Sequence, residues 1–168
     1  MFHSEDYFLI RGIEAPLRSP SFLSKFYIYC RAATSCVAHP SHSLDGQKDM
    51  LNSYAEKHGL IISHVFQESV SAMGHRPLFT QMLQGIERGE ADGILVHDVS
   101  RLTRNSADGQ HLIDMLDRGV ITQIKTPLLV LNKSSLQLCL SLQQQEHDAL
   151  SYSIKRGLRM RQSHGNLR

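Results

Sequence analysis

A chain of 168 residues, 41% apolar and 20% charged, is about one domain of ordinary globular protein, long enough to close a core and too apolar for wholesale disorder. Eighteen Lys and Arg against sixteen Asp and Glu leave a formal charge of +2, which by itself names no partner. Three cysteines, Cys30, Cys36 and Cys139, without zinc-type spacing argue against a disulfide scaffold and a structural metal. No stretch reaches the ~18 apolar residues that span a bilayer. Glu5, Asp6 and Glu14 stand where a signal peptide would be apolar, so a cytoplasmic protein with no membrane partner is expected.

Residues 1–24 mix Pro16, Pro20, Ser19, Ser21 and Ser24 with little periodicity and read as a poorly ordered extension. Lys25 to Arg31 is a β-branched and aromatic run, predicted as a buried strand. A Ser/Thr-rich loop from Ala32 to His42 follows. Met50, Leu51, Tyr54 and Ala55 fall at helical spacing after Ser43-Leu-Asp-Gly46, and Gly59 sits where the cap belongs. Leu60–Phe66 is a second strand, followed by a loop from Gln67 to His75. Pro77 opens a helix with Phe79, Met82, Leu83 and Ile86 on one face.

Gly93–His97 is a third strand. Leu112, Ile113, Met115 and Leu116 mark a third helix, running into Gly119. Val120–Lys125 and Leu128–Leu131 are apolar stretches broken by Pro127, and Ser134–Gln162 reads as one long helix with Gly157 as its weak point. This alternation implies an α/β fold, a mainly parallel sheet flanked by helices and followed by a long C-terminal helix. The expected divisions are the extension, a core over 25–133, and the long helix with its basic end over 134–168.

In an open parallel sheet, ligands meet the loops at the carboxyl ends of the strands. Arg31 ends the first strand, Arg76 lies after the second, and Arg101 and Arg104 follow the third. If their segment is helical, Arg101 and Arg104 share a face. Converging guanidiniums suit a phosphate, because each is a rigid fork of donors that keeps its charge. The plainer reading of any one arginine is a solvated surface residue. Ten scattered histidines form no metal motif, and no glycine-rich phosphate loop follows the first strand, so neither a metal nor another cofactor is expected. Ser151–Arg168 carries Lys155, Arg156, Arg159, Arg161 and Arg168 with no acid. That is either the solvated end of a helix apolar through Cys139, Leu142, Ala149 and Leu150, or a segment that meets a nucleic-acid backbone.

Tyr29-Cys-Arg-Ala-Ala-Thr34, Ser43-Leu-Asp-Gly-Gln47, His75-Arg-Pro77 and Val96-His-Asp-Val-Ser-Arg-Leu-Thr-Arg104 follow one another in an order and spacing that resembles the catalytic domain of the serine recombinases, the resolvase/invertase family. The likeness runs from about Phe26 to Gly165. It implies DNA strand exchange through a phosphoserine link, with no metal or nucleotide. Arg31, Arg76, Arg101 and Arg104 would activate the phosphate and neutralise its developing charge, with Gln47 as a supporting polar contact. DNA would be the partner, and the long helix would join a homodimer or tetramer, with Lys155, Arg156, Arg159 and Arg161 running along the duplex.

The sequence departs from the family pattern at the attacking residue. Where the family reads Arg-x-Ser-Thr, this chain reads Arg31-Ala-Ala33-Thr34, and a methyl group cannot form a phosphoester. Ser100 stands where an aspartate is expected, and His75 where an acid precedes the second arginine. Ser35 is a candidate substitute, but two residues displace it by several ångströms, more than near-attack geometry tolerates. Enzymatic activity is therefore an open expectation. The family's function with cleavage lost at Ala33 stands beside a non-enzymatic, DNA-associated dimerisation module that pairs with an active recombinase. The few residues after Gly165 hold no helix-turn-helix or zinc ribbon, so contact with backbone phosphates is expected rather than base readout.

Overall fold

The computed structural model describes residues 24–33, 43–70 and 74–165, without the side chains of residues 147 and 157–165. Its elements in chain order are β1 (Lys25–Ala32), α1 (Leu44–Lys57), β2 (Ile61–Ser69), α2 (Pro77–Glu87), β3 (Gly93–Val96), α3 (Val99–Leu102), α4 (Ser106–Asp117), β4 (Gln123–Lys125), β5 (Val130–Leu131) and α5 (Lys133–Gly165). The five strands form one sheet in the order β2-β1-β3-β4-β5. The first three pairings are parallel, and β4 with β5 is antiparallel.

Alternation along β1 divides the core. Ile28 and Cys30 face α1 and pack with Leu51, Ala55 and Leu95. Tyr27 and Tyr29 face the other way, into a larger cluster built by Phe79, Met82 and Ile86 of α2, Leu112 and Met115 of α4, and Leu136 of α5. The chain adds β2 on one side of β1 and returns to add β3 on the other. That reversal opens a crevice above the carboxyl ends of β1 and β3.

Local chemistry sets the element ends. Ser43 caps α1 by accepting from the Gly46 N–H, and Asn105 caps α4 by accepting from the Asp108 N–H. Gly59 and Gly119, at φ +62° and +67°, reverse the chain after α1 and α4.

The predicted strands and helices form, with four differences. β2 runs on to Ser69, because its polar end pairs with β1 through Ala32 and Ser69, so Gln67 and Glu68 lie in the sheet and not in the loop expected there. The stretch after Pro127 folds back as β5, its turn closed by the Thr126 hydroxyl accepting from Leu128 and Leu129 N–H. α3 ends at Leu102, because Thr103 is extended at φ −110° and ψ 141°. Arg101 and Arg104 therefore share no helix face.

The fourth difference is in α5, which packs on the body through Leu136, Cys139 and Leu140. Leu142 and Leu150, expected to be packed, are 51% and 61% exposed, and Ala149 is exposed as well. The helix has by then run past the core that would cover it. The proposed extension falls outside the described residues apart from Ser24. No helix among the described residues is long and apolar enough to cross a membrane.

Candidate functional site

β1 delivers Arg31 to the crevice as its last charged residue. The Gln47 side chain, fully buried on α1, accepts from the Arg31 N–H at 3.2 Å and donates to the Arg31 carbonyl at 3.1 Å. This reciprocal pair satisfies the backbone where the strand leaves the sheet. The guanidinium then reaches across to the β3–α3 segment, donating from Nε to the Arg101 carbonyl (3.0 Å) and from Nη2 to the Ser100 carbonyl (2.7 Å).

α3 presents Arg101 beside Asp98, with Nε 3.6 Å from the carboxylate. That Nε–H is buried and finds no hydrogen-bond acceptor among the described residues, an unmet donor. Asp98 also accepts from the Ser100 hydroxyl and lies 3.0 Å from the His97 ring. Burial raises the Asp98 carboxyl, but the hydrogen bonds from Ser100 and His97 and the charge on Arg101 outweigh it and hold it below the ordinary carboxylate value. Arg104 donates from Nη1 to the Gly74 carbonyl at 2.8 Å.

Arg76 sits deeper, its side chain 7% exposed. It donates to the Tyr29 hydroxyl, the Leu102 carbonyl and Asp108, and its central carbon lies over the Phe79 ring, 3.7 Å from the centroid. Tyr29 in turn donates to Glu68 at 2.6 Å.

These four guanidiniums gather at one sheet edge. Burial and then the charges of Arg76, Arg101 and Arg104 hold Arg31 below the ordinary arginine value, against an opposing effect of the Tyr29 hydroxyl. Three like charges act on this half-buried cation, while Glu68 and Asp108 face Arg76 and Asp98 faces Arg101. Beside it, a cleft of about 1200 Å³ runs between the α3–α4 segment and α5, lined by Arg31, Ser100, Arg104, Gln110, Gln144 and Leu150 among others.

Ala33 is half-buried, immediately past β1, and Ser35 lies outside the described residues. Lys155 and Arg156 are exposed on α5, away from the cluster in sequence. Arg159 and Arg161 fall within α5, but their side chains lie outside the described ones. No group of three or more metal-ligating side chains occurs among the described residues. Burial pushes the Cys30 thiol up to about 12, opposed by Lys48, which leaves it a core residue. Tyr29, Glu68 and Asp108 were missed by sequence reasoning. The one signal for Glu68 is that it lies two residues after buried Phe66, in phase with the core face of a strand.

Fold and site together define a doubly covered, mainly parallel α/β domain with a cationic crevice at its strand reversal. The chain matches the family model described as "Resolvase, N terminal domain" over residues 26–167, and it belongs to that family, the catalytic domains of the serine recombinases. A resolvase from Clostridium perfringens (strain 13 / Type A) is 28% identical in an alignment 138 residues long that covers 77% of this chain and 70% of that protein. Two solved structures share the fold at 22% identity and a TM-score of 0.55. The N-terminal catalytic domain of TP901-1 integrase is matched over 81% of this chain and 99% of its own. A resolvase family site-specific recombinase from Streptococcus pneumoniae is matched over 84% and 95%.

Proposed function

We propose that this chain binds the DNA backbone through its arginine cluster as the catalytic domain of a site-specific recombinase, and that in this sequence the strand-cutting step is silenced at Ala33. The observation that carries the reading is Arg31, fixed by Gln47 and surrounded by three further cationic forks, next to a residue with no hydroxyl. A phosphodiester is the anion that fits. It is a single negative charge with several acceptor oxygens, and fixed forks stabilise the extra charge of its transition state. Gln47 acts through the Arg31 backbone. The divisions 25–133 and 134–168 then separate a phosphate-binding core from an associating helix whose exposed Lys155 and Arg156, with Arg159 and Arg161, add backbone contacts.

Ala33→Ser, in a chain fused to a DNA-binding domain with a known site, tests this directly. The expected result is a denaturant-stable protein–DNA adduct from the variant and none from the unaltered chain. An adduct from the unaltered chain would overturn the missing-nucleophile reading. None from either would show that the cluster does not act on DNA.

A second reading is favoured by α5. Leu136, Leu140, Gln143, Leu150 and Ile154 share one stripe with heptad spacing. Its first members pack on the body, while Leu150 and Ile154 are 61% and 54% exposed. A dimerisation module that pairs with itself or with an active recombinase uses that stripe. A chain that stays monomeric at high concentration contradicts this reading.

A further inference from the structure

Of the four arginines, Arg76 is held unlike the others. A guanidinium has five N–H donors. Arg76 directs Nε (3.2 Å) and Nη2 (2.9 Å) at the Tyr29 hydroxyl, Nη2 also at the Leu102 carbonyl (2.7 Å), and Nη1 at Asp108 Oδ2 (2.8 Å). One face of the group is covered by Phe79, and Glu68 lies 3.7 Å from Nε. Four of the five donors are thus directed at protein acceptors, in a side chain with almost no exposure to solvent. Little of it is left for a phosphate.

Asp108 has two partners. The oxygen that accepts from Arg76 also accepts from the Arg104 backbone N–H at 3.2 Å. Arg76 itself holds the carbonyl of Leu102, the last residue of α3, which carries Arg101. The hydrogen bonds form one string, from Glu68 on β2 through Tyr29 on β1 to Arg76 before α2, and on to Asp108 on α4. It ends on the stretch that bears Arg101 and Arg104, both partly buried.

We infer that Arg76 and Asp108 are a positioning pair. They set where Arg101 and Arg104 stand, and Arg76 does not touch the DNA. This rests on the phosphate-binding reading above, but part of it is read without any DNA. The pair is needed because the segment after α3 is extended at Thr103 and has no helix to hold it. A misplacement of about 1 Å in a positioned group can cost about a hundredfold.

The test is nitrogen-resolved NMR of the arginine side chains in the full chain, free and titrated with a short DNA duplex. The Nε–H signals of Arg31, Arg101 and Arg104 are expected to move with DNA, while that of Arg76 stays in place and exchanges slowly with solvent. In the free protein, Asp108→Asn is expected to shift the Arg76 side-chain signal and the Arg104 amide. It should weaken DNA binding about tenfold without changing the salt dependence, and Asp108→Glu should restore part of the loss. If Asp108→Asn does not fold, Tyr29→Phe removes the acceptor of two Arg76 donors and is read by the same signals.

An Arg76 signal that moves with DNA in step with the others overturns the inference. So does an Arg104 amide unmoved by Asp108→Asn. If no arginine signal responds to DNA, the phosphate-binding reading fails instead, and the Arg104 amide still decides the positioning role.

Discussion

Gln47 is fully buried, and its amide closes both backbone groups of Arg31. Gln47→Ala leaves a donor and an acceptor unmet at the end of β1, a loss of about 1–3 kcal/mol for buried groups. Urea unfolding is expected to show a drop in that range, and a change below about 0.5 kcal/mol would mean water replaces the amide. Asp98 gives a pH signature. Its folded carboxyl lies below the ordinary value near 3.8, so the charged form is favoured by folding. That stability is complete above pH ~4 and is lost as pH falls through the lower folded value. The stability gap between the parent and Asp98→Asn should hold from pH 7 to about 4 and shrink below it. A gap that widens in acid contradicts the assigned direction. At this scale Arg31, Arg101 and Arg104 were legible because arginines at strand ends are conspicuous. Glu68 and Asp108 were not, since an acid after a strand reads as loop and an acid in a helix's first turn reads as ordinary dipole compensation.

Among the elements, those with strong periodicity were readable from sequence. β1, β3, α1 and α2 carry continuous apolar runs or clear helical spacing, and each forms where expected. The elements that escaped are short. β5 has two residues and α3 four, and both are set by neighbours: β5 by its pairing with β4, α3 by the carbonyls that Arg31 and Arg76 hold. α5 was legible in extent but not in burial, because apolar residues such as Leu142 and Leu150 look the same in sequence whether covered by the body or left bare. The bare end predicts association. Leu150→Ser with Ile154→Ser removes two apolar side chains, each able to contribute about 1.5–3 kcal/mol when fully covered. The double variant should keep its melting temperature as a dilute monomer and shift to smaller mass in light scattering at high concentration. Unchanged mass would show that this stripe is not an interface.

For the whole molecule, strand order is decisive. Because the chain adds β2 and β3 on opposite sides of β1, the ends of β1 and β3 open into one crevice, and residues seventy positions apart in sequence meet there, as Arg31 and Arg101 do. Sequence alone supplied the pieces of this edge. Their shared edge was expected from the strand ends, but the contacts made there, such as Arg31 on the Ser100 and Arg101 carbonyls, needed the topology, which alternation of strands and helices does not specify. On the proposed function this crevice is a preformed cationic seat for DNA phosphates, and counterion release measures such a seat directly. Binding of a short duplex should be followed by fluorescence anisotropy across a salt series for the parent chain, Arg101→Gln and Arg104→Gln. Removing one arginine–phosphate pairing should lower the slope of log affinity against log salt by about 0.9 for duplex DNA. The parent is expected to bind with clear salt dependence, and both variants to show that reduction. Salt-dependent binding whose slope neither variant alters would place the DNA elsewhere on the molecule and contradict a phosphate seat at the arginine cluster.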